Sequence, residues 1–243
     1  MMDFSNRSAL ITGAAAGIGK ATAIMMAKRG ASLMLVDIDG ENLKAVAQEI
    51  AALGATVIYE VADIADETAV NRVCARAEAE LGKIDILVNN AALFRRHMPF
   101  LETTPDMWRQ FIDVNIYGTL YFTKALLGGM VERKYGRVIN VGSVAGVYGL
   151  KSMADYSLTK GAVIAFTRAL AKEVVTDGVT VNCVSPGSVS DRYNDPTVET
   201  GLSHMGRCGT HDEYASLICF LAGEEATYIS GQNYQVDGAR RTM

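Results

Sequence analysis

The chain has 243 residues, 49% of them hydrophobic and 21% charged, with a net charge of −4 and an isoelectric point near 5.5. Such a composition supports one domain with a substantial core and, offering no dominant basic face, argues against a nucleic-acid backbone binder. No apolar run approaches the ~20 residues that cross a bilayer, and Met1 to Arg7 lacks the basic flank and apolar core of a secretory leader. Four cysteines (Cys74, Cys183, Cys208, Cys219) form no CxxC pair, and three histidines (His97, His204, His211) form no HExxH. Free thiols, no built-in metal site and a reducing, cytoplasmic setting are therefore expected.

Strand and helix patterns alternate along the chain. Ser8–Thr12 is an apolar run, followed by glycines and by Ile18–Lys28 at helical spacing. Ser32–Asp37 reads as a buried strand, and Leu43, Val46, Ile50 and Leu53 mark a helix stopped at Gly54. Thr56–Val61 is a strand, Val70 to Leu81 a helix stopped at Gly82, and Ile84–Asn89 a fourth strand. Thr104-Pro105-Asp106 is a helix start, and the apolar period after it predicts one long helix from Pro105 to about Val131. Arg137–Val141 and Val179–Val184 are strands flanking a helix over Tyr156–Val175. Thr210 and Glu213 form a capping box for a helix reaching Leu221, and Tyr234–Val236 is a last strand. Apolar strands alternating with amphipathic helices imply α/β architecture: a doubly wound parallel sheet of the Rossmann type, about seven strands, helices on both faces. No linker composition divides the chain, so residues 1–243 read as a single domain.

Two stretches carry chemistry. Tyr156 and Lys160 stand four apart at the start of a predicted helix, which puts phenol and ammonium on one face. A phenol of pKa about 10 is a poor proton carrier at pH 7, and a neighbouring cation favours the phenolate, which makes it a general acid/base for a substrate oxygen. An exposed i,i+4 pair of no catalytic use has the same spacing. The second stretch, Thr12 to Gly19, places Gly13, Gly17 and Gly19 between a first strand and a first helix, where a backbone can approach a diphosphate. Asp37 ends the second strand, where a carboxylate accepts from both ribose hydroxyls of NAD and repels the extra phosphate of NADP. No Arg or Lys lies in Gly13–Gly19 or directly after Asp37, so NAD is the expected cofactor.

These residues, in this order, resemble the short-chain dehydrogenase/reductase family over nearly the whole chain. The motifs are TGAAAGIG (Thr12–Gly19), Asp63-Ile64, NNAA (Asn89–Ala92), Asn115, Ser143, YSLTK (Tyr156–Lys160), PGSV (Pro186–Val189) and VDG (Val236–Gly238). The resemblance implies that Gly13, Ala16, Gly17, Ile18 and Gly19 surround the diphosphate, and that Asp37 and Ile38 face the adenosine ribose. Asp63 would bond the adenine amino group with Ile64 beside the ring, and Asn90 and Ala91 would line the adenosine-side ribose path. Tyr156 and Lys160 would reach the nicotinamide ribose, and Pro186 and Val189 the nicotinamide. Asn115, Ser143, Tyr156 and Lys160 would be the catalytic set, with Asn115 holding a water that links Lys160 to solvent. The implied reaction interconverts a secondary alcohol and its ketone. Family members are commonly tetrameric, so a homo-oligomer, tetramer or dimer, is expected, with the long helices as interfaces.

The chain departs from the family pattern in four places: Ala92 where NNAG ends in glycine, Asp191 where threonine is usual, a short lid at about 188–206 containing Asp195-Pro196, and Ala239 in place of the second glycine of DGG. Specificity is expected from Phe94–Phe100, Ala145–Met153 and Asp191–Met205. Arg95-Arg96-His97 is a basic cluster for a carboxylate or phosphate, or a solvated loop; Phe94, Val147, Tyr148 and Leu150 offer an apolar wall. A 3-oxoacyl-carrier-protein reductase and a nucleotide-sensing protein without catalysis are the rival readings.

Overall fold

The computed structural model describes residues 3–94 and 97–241. Seven parallel strands form one sheet: β1 (Ser8–Thr12), β2 (Ser32–Asp37), β3 (Val57–Val61), β4 (Ile86–Asn89), β5 (Gly136–Val141), β6 (Val179–Pro186) and β7 (Asn233–Val236). Their order is β3-β2-β1-β4-β5-β6-β7. The order reverses between β1 and β4, and open sheets of this kind bind ligands at the carboxyl edge beside such a switch point. Strand boundaries differ from the sequence reading by one or two residues; β4, for example, starts at Ile86 rather than Ile84.

Both faces are covered because the strands are apolar on both sides: β1, β4, β5 and β6 are buried at every position. On one face lie α1 (Gly17–Ala27), α2 (Gly40–Ala52) and α8 (His211–Ala222), contributing Met26, Leu43, Ile50, Ile218 and Leu221 to the core. On the other lie α3 (Glu67–Leu81), α5 (Gly118–Glu132) and α7 (Ala154–Val174), contributing Val70, Val73, Phe122, Leu126 and Leu170. A short α4 (Pro105–Ile112) precedes α5, and α6 (Val144–Tyr148) follows β5. Among the described residues no helix is long and apolar enough to cross a membrane.

The expected single helix from Pro105 to Val131 is instead three pieces. α4 passes into a π turn at Asp113–Tyr117 before α5 resumes α geometry. Two contacts hold the turn. The Asn115 amide is bonded to both backbone polar groups of Leu93, and Gly118 lies so close to Ile64 that an added Cβ would come within 2.6 Å of Cδ1. Such one-turn π segments recur at functional sites. Apolar periodicity continues across it, which is why the sequence reads as one helix.

Candidate active site

The glycine turn is constrained from every side. Gly13 and Gly17 adopt left-handed φ of +66° and +57°, which a Cβ disfavours. At Gly19 an added Cβ would meet the Gly13 carbonyl oxygen at 2.0 Å and Asn90 Nδ2 at 2.6 Å. Asn90 bridges the switch point itself, its Nδ2 donating to the carbonyls of Thr12 (2.9 Å) and Gly13 (3.0 Å), while Thr12 Oγ1 accepts from the backbone N–H groups of Asn90 and Ala91 at 3.0 Å. Asp37 joins the same assembly: Oδ2 accepts from Ala15 N at 2.9 Å and Oδ1 from Asp39 N at 3.1 Å. The exposed Ala16 caps α1 without a side-chain bond, leaving the helix amino end for an anion. A backbone cradle with no room for side chains, opposite an anchored carboxylate, fits a dinucleotide.

The remaining expected cofactor contacts are mixed in placement. Ile38 is 71% exposed beside Asp37. Asp63 is exposed, with Oδ1 accepting from Ala65 N at 2.9 Å, whereas Ile64 is buried and packs against Gly118. Ile18, Asn90, Pro186 and Val189 line a cavity of about 780 Å³, together with Ser143, Tyr156 and Lys160. Strand ends and two helices thus bring seven of the expected residues to one wall.

Tyr156 sits in the first turns of α7, buried, with its ring edge-on to Phe94 (5.3 Å between centroids) and to Phe111 (6.2 Å). Two aromatic contacts leave the phenol little freedom. Ser143 caps α6 at the carboxyl end of β5, its Oγ accepting from Ala145 N at 3.1 Å. One helical turn past the phenol, Lys160 is fully buried; Nζ donates to the Val141 carbonyl at 2.7 Å and lies 5.9 Å from the Tyr156 ring centroid. Burial lowers the Lys160 pKa to about 8, so the ammonium still predominates at pH 7.

The phenol itself departs from the expectation. Burial raises the Tyr156 pKa above its ordinary value, and the hydrogen bond with Ser143 is the opposing influence. The Lys160 cation does not reverse that direction, so with the chain's own groups alone Tyr156 is a protonated acid, not a phenolate. Asn115 also differs from its expected role. It is buried behind the cavity rather than lining it, with Oδ1 accepting from Leu93 N at 2.7 Å and Nδ2 donating to Leu93 O and Thr159 Oγ1 at 3.1 Å. Both of its N–H groups are thus spent on protein; Thr159 lies between Tyr156 and Lys160 on α7, so Asn115 braces the helix that carries them.

Sequence reasoning missed three features. Phe111 grips the phenol, and its only sequence signal is its place in an amphipathic helix. A buried polar chain runs across the sheet from Thr123 through Asn89 and Asn140 to Thr167, at 2.9–3.1 Å per link, tying β4 and β5 to the helices. The third is the seat of segment 188–209. Val189 bridges Gly209, Tyr193 stacks on His211 at 5.1 Å, and Asn194 N donates to His211 Nδ1 at 3.2 Å. In this segment Asp191 is exposed and does not line the cavity, while Ala92 does. Of the basic cluster, Arg95 and Arg96 lie outside the described residues; His97 lines the cavity and its Nδ1 is 3.1 Å from the Lys151 carbonyl.

Comparison with known proteins agrees with this geometry. Residues 7–200 match the family model described as short chain dehydrogenase. The chain is 38% identical to (2S)-[(R)-hydroxy(phenyl)methyl]succinyl-CoA dehydrogenase subunit BbsD of Thauera aromatica, over 98% of each chain. It is 34% identical to the 3-oxoacyl-[acyl-carrier-protein] reductase FabG of Thermotoga maritima, again over 98% of each. Among solved structures, NAD+-bound xylitol dehydrogenase superposes with a TM-score of 0.91 at 28% identity, covering 97% of this chain and 99% of that one. With the family model spanning most of the chain and the cleft in place, the protein belongs to the short-chain dehydrogenase family, as an oxidoreductase acting on a CH–OH group.

Proposed function

We propose that the chain interconverts a secondary alcohol and its ketone with NAD(H), using Tyr156 as general acid/base. The observation that carries the reading is that Ser143, Tyr156 and Lys160 share one cavity wall with Ile18 of the glycine turn. NAD, when bound, supplies or accepts the hydride. The chain's residues do the rest. Gly13, Ala16, Gly17, Ile18 and Gly19 hold the diphosphate, Asp37 and Ile38 the adenosine ribose, Asp63 and Ile64 the adenine, and Asn90 and Ala91 the path between. Pro186 and Val189 back the nicotinamide. In ketone reduction the protonated Tyr156 gives its proton to the substrate oxygen, and the Ser143 hydroxyl shares the developing charge. In oxidation the proton moves the other way, and the Lys160 ammonium stabilises the phenolate left behind.

Asp37 supports NAD over NADP because its carboxylate is fixed by two backbone N–H groups and would face the additional phosphate. The nearest basic residue of α1, Lys20, is paired with Glu49 at 2.9 Å. The NAD+-bound structural neighbour favours the same choice. The carrier-protein reductase relative keeps a second reading open, that of a 3-oxoacyl thioester reductase. Four buried free cysteines support a reducing, cytoplasmic setting, and a homo-oligomer formed through the outer faces of α4, α5 and α7 completes the proposal.

The test is a panel of secondary alcohols with NAD+ and with NADP+, followed by nicotinamide absorbance, beside Tyr156→Phe. NAD+ should be reduced preferentially, and the variant should lose roughly 10²–10⁴ in kcat while still binding NADH. Preference for NADP+ would refute the role of Asp37, and a fully active variant would refute that of the phenol.

A further inference from the structure

Resting on the assignment of this cavity as the oxidoreductase site, we propose that its substrate is an anion, a hydroxy acid or its oxo acid, whose carboxylate is held by Lys151 and Arg240. The chain as a whole carries more acids (27) than bases (23). The cavity inverts that balance: its lining includes Lys151, Lys160, Arg240 and His97, and no Asp or Glu. A low-dielectric concavity lined by one sign of charge concentrates ligands of the other.

Lys160 is already committed, buried and bonded to the Val141 carbonyl. Lys151 is differently placed: exposed at the cavity wall and, among the described residues, paired with no carboxylate. Its position is fixed by its neighbours. Leu150 N donates to Ser157 Oγ at 3.2 Å and Met153 N to Leu150 O at 3.1 Å, folding the 149–153 turn onto the start of α7 beside Tyr156. On its other side Met98 N donates to Ser152 O at 2.8 Å, and His97 Nδ1 lies 3.1 Å from Lys151 O.

Arg240 reaches the same cavity from the opposite direction. The carboxyl-terminal segment is strapped to the 188–209 segment by the Ser203–Arg240 bridge, by His204 N to Ala239 O (2.9 Å) and by Arg241 N to Leu202 O (3.0 Å). An ammonium and a guanidinium from two separate segments, with Phe94, Leu150 and Met153 as apolar wall, suit a short carbon skeleton ending in a carboxylate, which accepts charge-assisted bonds from both. Because the Lys151 turn packs on the turn that bears the phenol, the carboxylate belongs to the substrate's own skeleton, a few bonds from the reacting carbon. A neutral polyol has nothing to offer these two groups.

Acetoacetate and methyl acetoacetate provide the probe, since they share the reacting ketone and differ by the charge. NADH binding is titrated first by fluorescence; failure there would sink the cofactor assignment underneath. With NADH bound, acetoacetate should be reduced with a kcat/KM about tenfold to a hundredfold above the ester. Lys151→Gln and Arg240→Gln should each shrink that ratio, and Lys151→Arg should keep it. Equal or better turnover of the ester, NADH consumption with neither ketone, or a ratio unmoved by both glutamine variants would overturn the proposal. Preference for acetoacetyl-CoA over both would overturn it in favour of a thioester substrate.

Discussion

The cofactor end and the substrate end of the cleft differ in what they are made of. Around the glycine turn, the contacts are backbone groups and short polar side chains packed to their limit: Asn90 on two carbonyls, Asp37 on two N–H groups, Gly19 against Gly13. At the substrate end stand long side chains on irregular chain, with Phe94 62% and Leu202 46% exposed. A contact made by backbone tolerates no change of residue, whereas one made by an exposed side chain can be exchanged without refolding anything. One fold can therefore keep its chemistry at the first end and vary its substrates at the second.

Three substitutions sharpen that contrast. The largest effect is expected from Gly19→Ala, because the new methyl would stand 2.0 Å from a carbonyl oxygen that cannot move without reshaping the turn. NADH affinity should fall on the order of a hundredfold, and urea unfolding should show a loss of about 1–3 kcal/mol. Unchanged affinity would mean the turn is softer than its packing suggests.

Asn115→Ala comes next. It strips partners from Leu93 N, Leu93 O and Thr159 Oγ1 at once, for a stability loss of about 1–3 kcal/mol by the same measurement. Turnover should drop more than NADH affinity, because the brace supports the Tyr156 helix rather than the glycine turn. An equal drop in both would place Asn115 in the cofactor end after all.

The smallest effect should be favourable. Ala239 occupies a left-handed φ of +55°, at the position where the family pattern has glycine. Ala239→Gly should raise stability by about 1 kcal/mol or less, relief of the Cβ clash being partly offset by glycine's greater freedom when unfolded. No gain, or a loss, would show that the strap from residue 238 to 241 carries no strain.

The same contrast explains what was legible beforehand. The strand order follows from alternating apolar runs, and Gly13, Gly17, Asp37, Tyr156 and Lys160 announce themselves because each role admits few residue types. Phe111 and the Asn89–Asn140–Thr167 chain gave no such signal, since their partners are distant in sequence and common in composition. The direction of the Tyr156 shift was misjudged because spacing reveals a neighbouring cation but not the depth of burial. Lys151 and Arg240 went unnoticed: one lies in a short turn, the other near the chain end, and only folding brings both to one cavity.

The π turn at Asp113–Tyr117 has a consequence for chain length. It accommodates one residue more than an α-helix would need over the same path. Removing any single residue between Pro105 and Gly118 would let the hydrogen-bond ladder close in α geometry, and everything beyond would rotate by about 100°. Phe122, Leu126 and Met130 would swing out of the core, and Lys124 would swing towards it. Natural or engineered variation in this stretch is thus confined to substitutions, because insertions and deletions are read out as the wrong face of a helix two turns away.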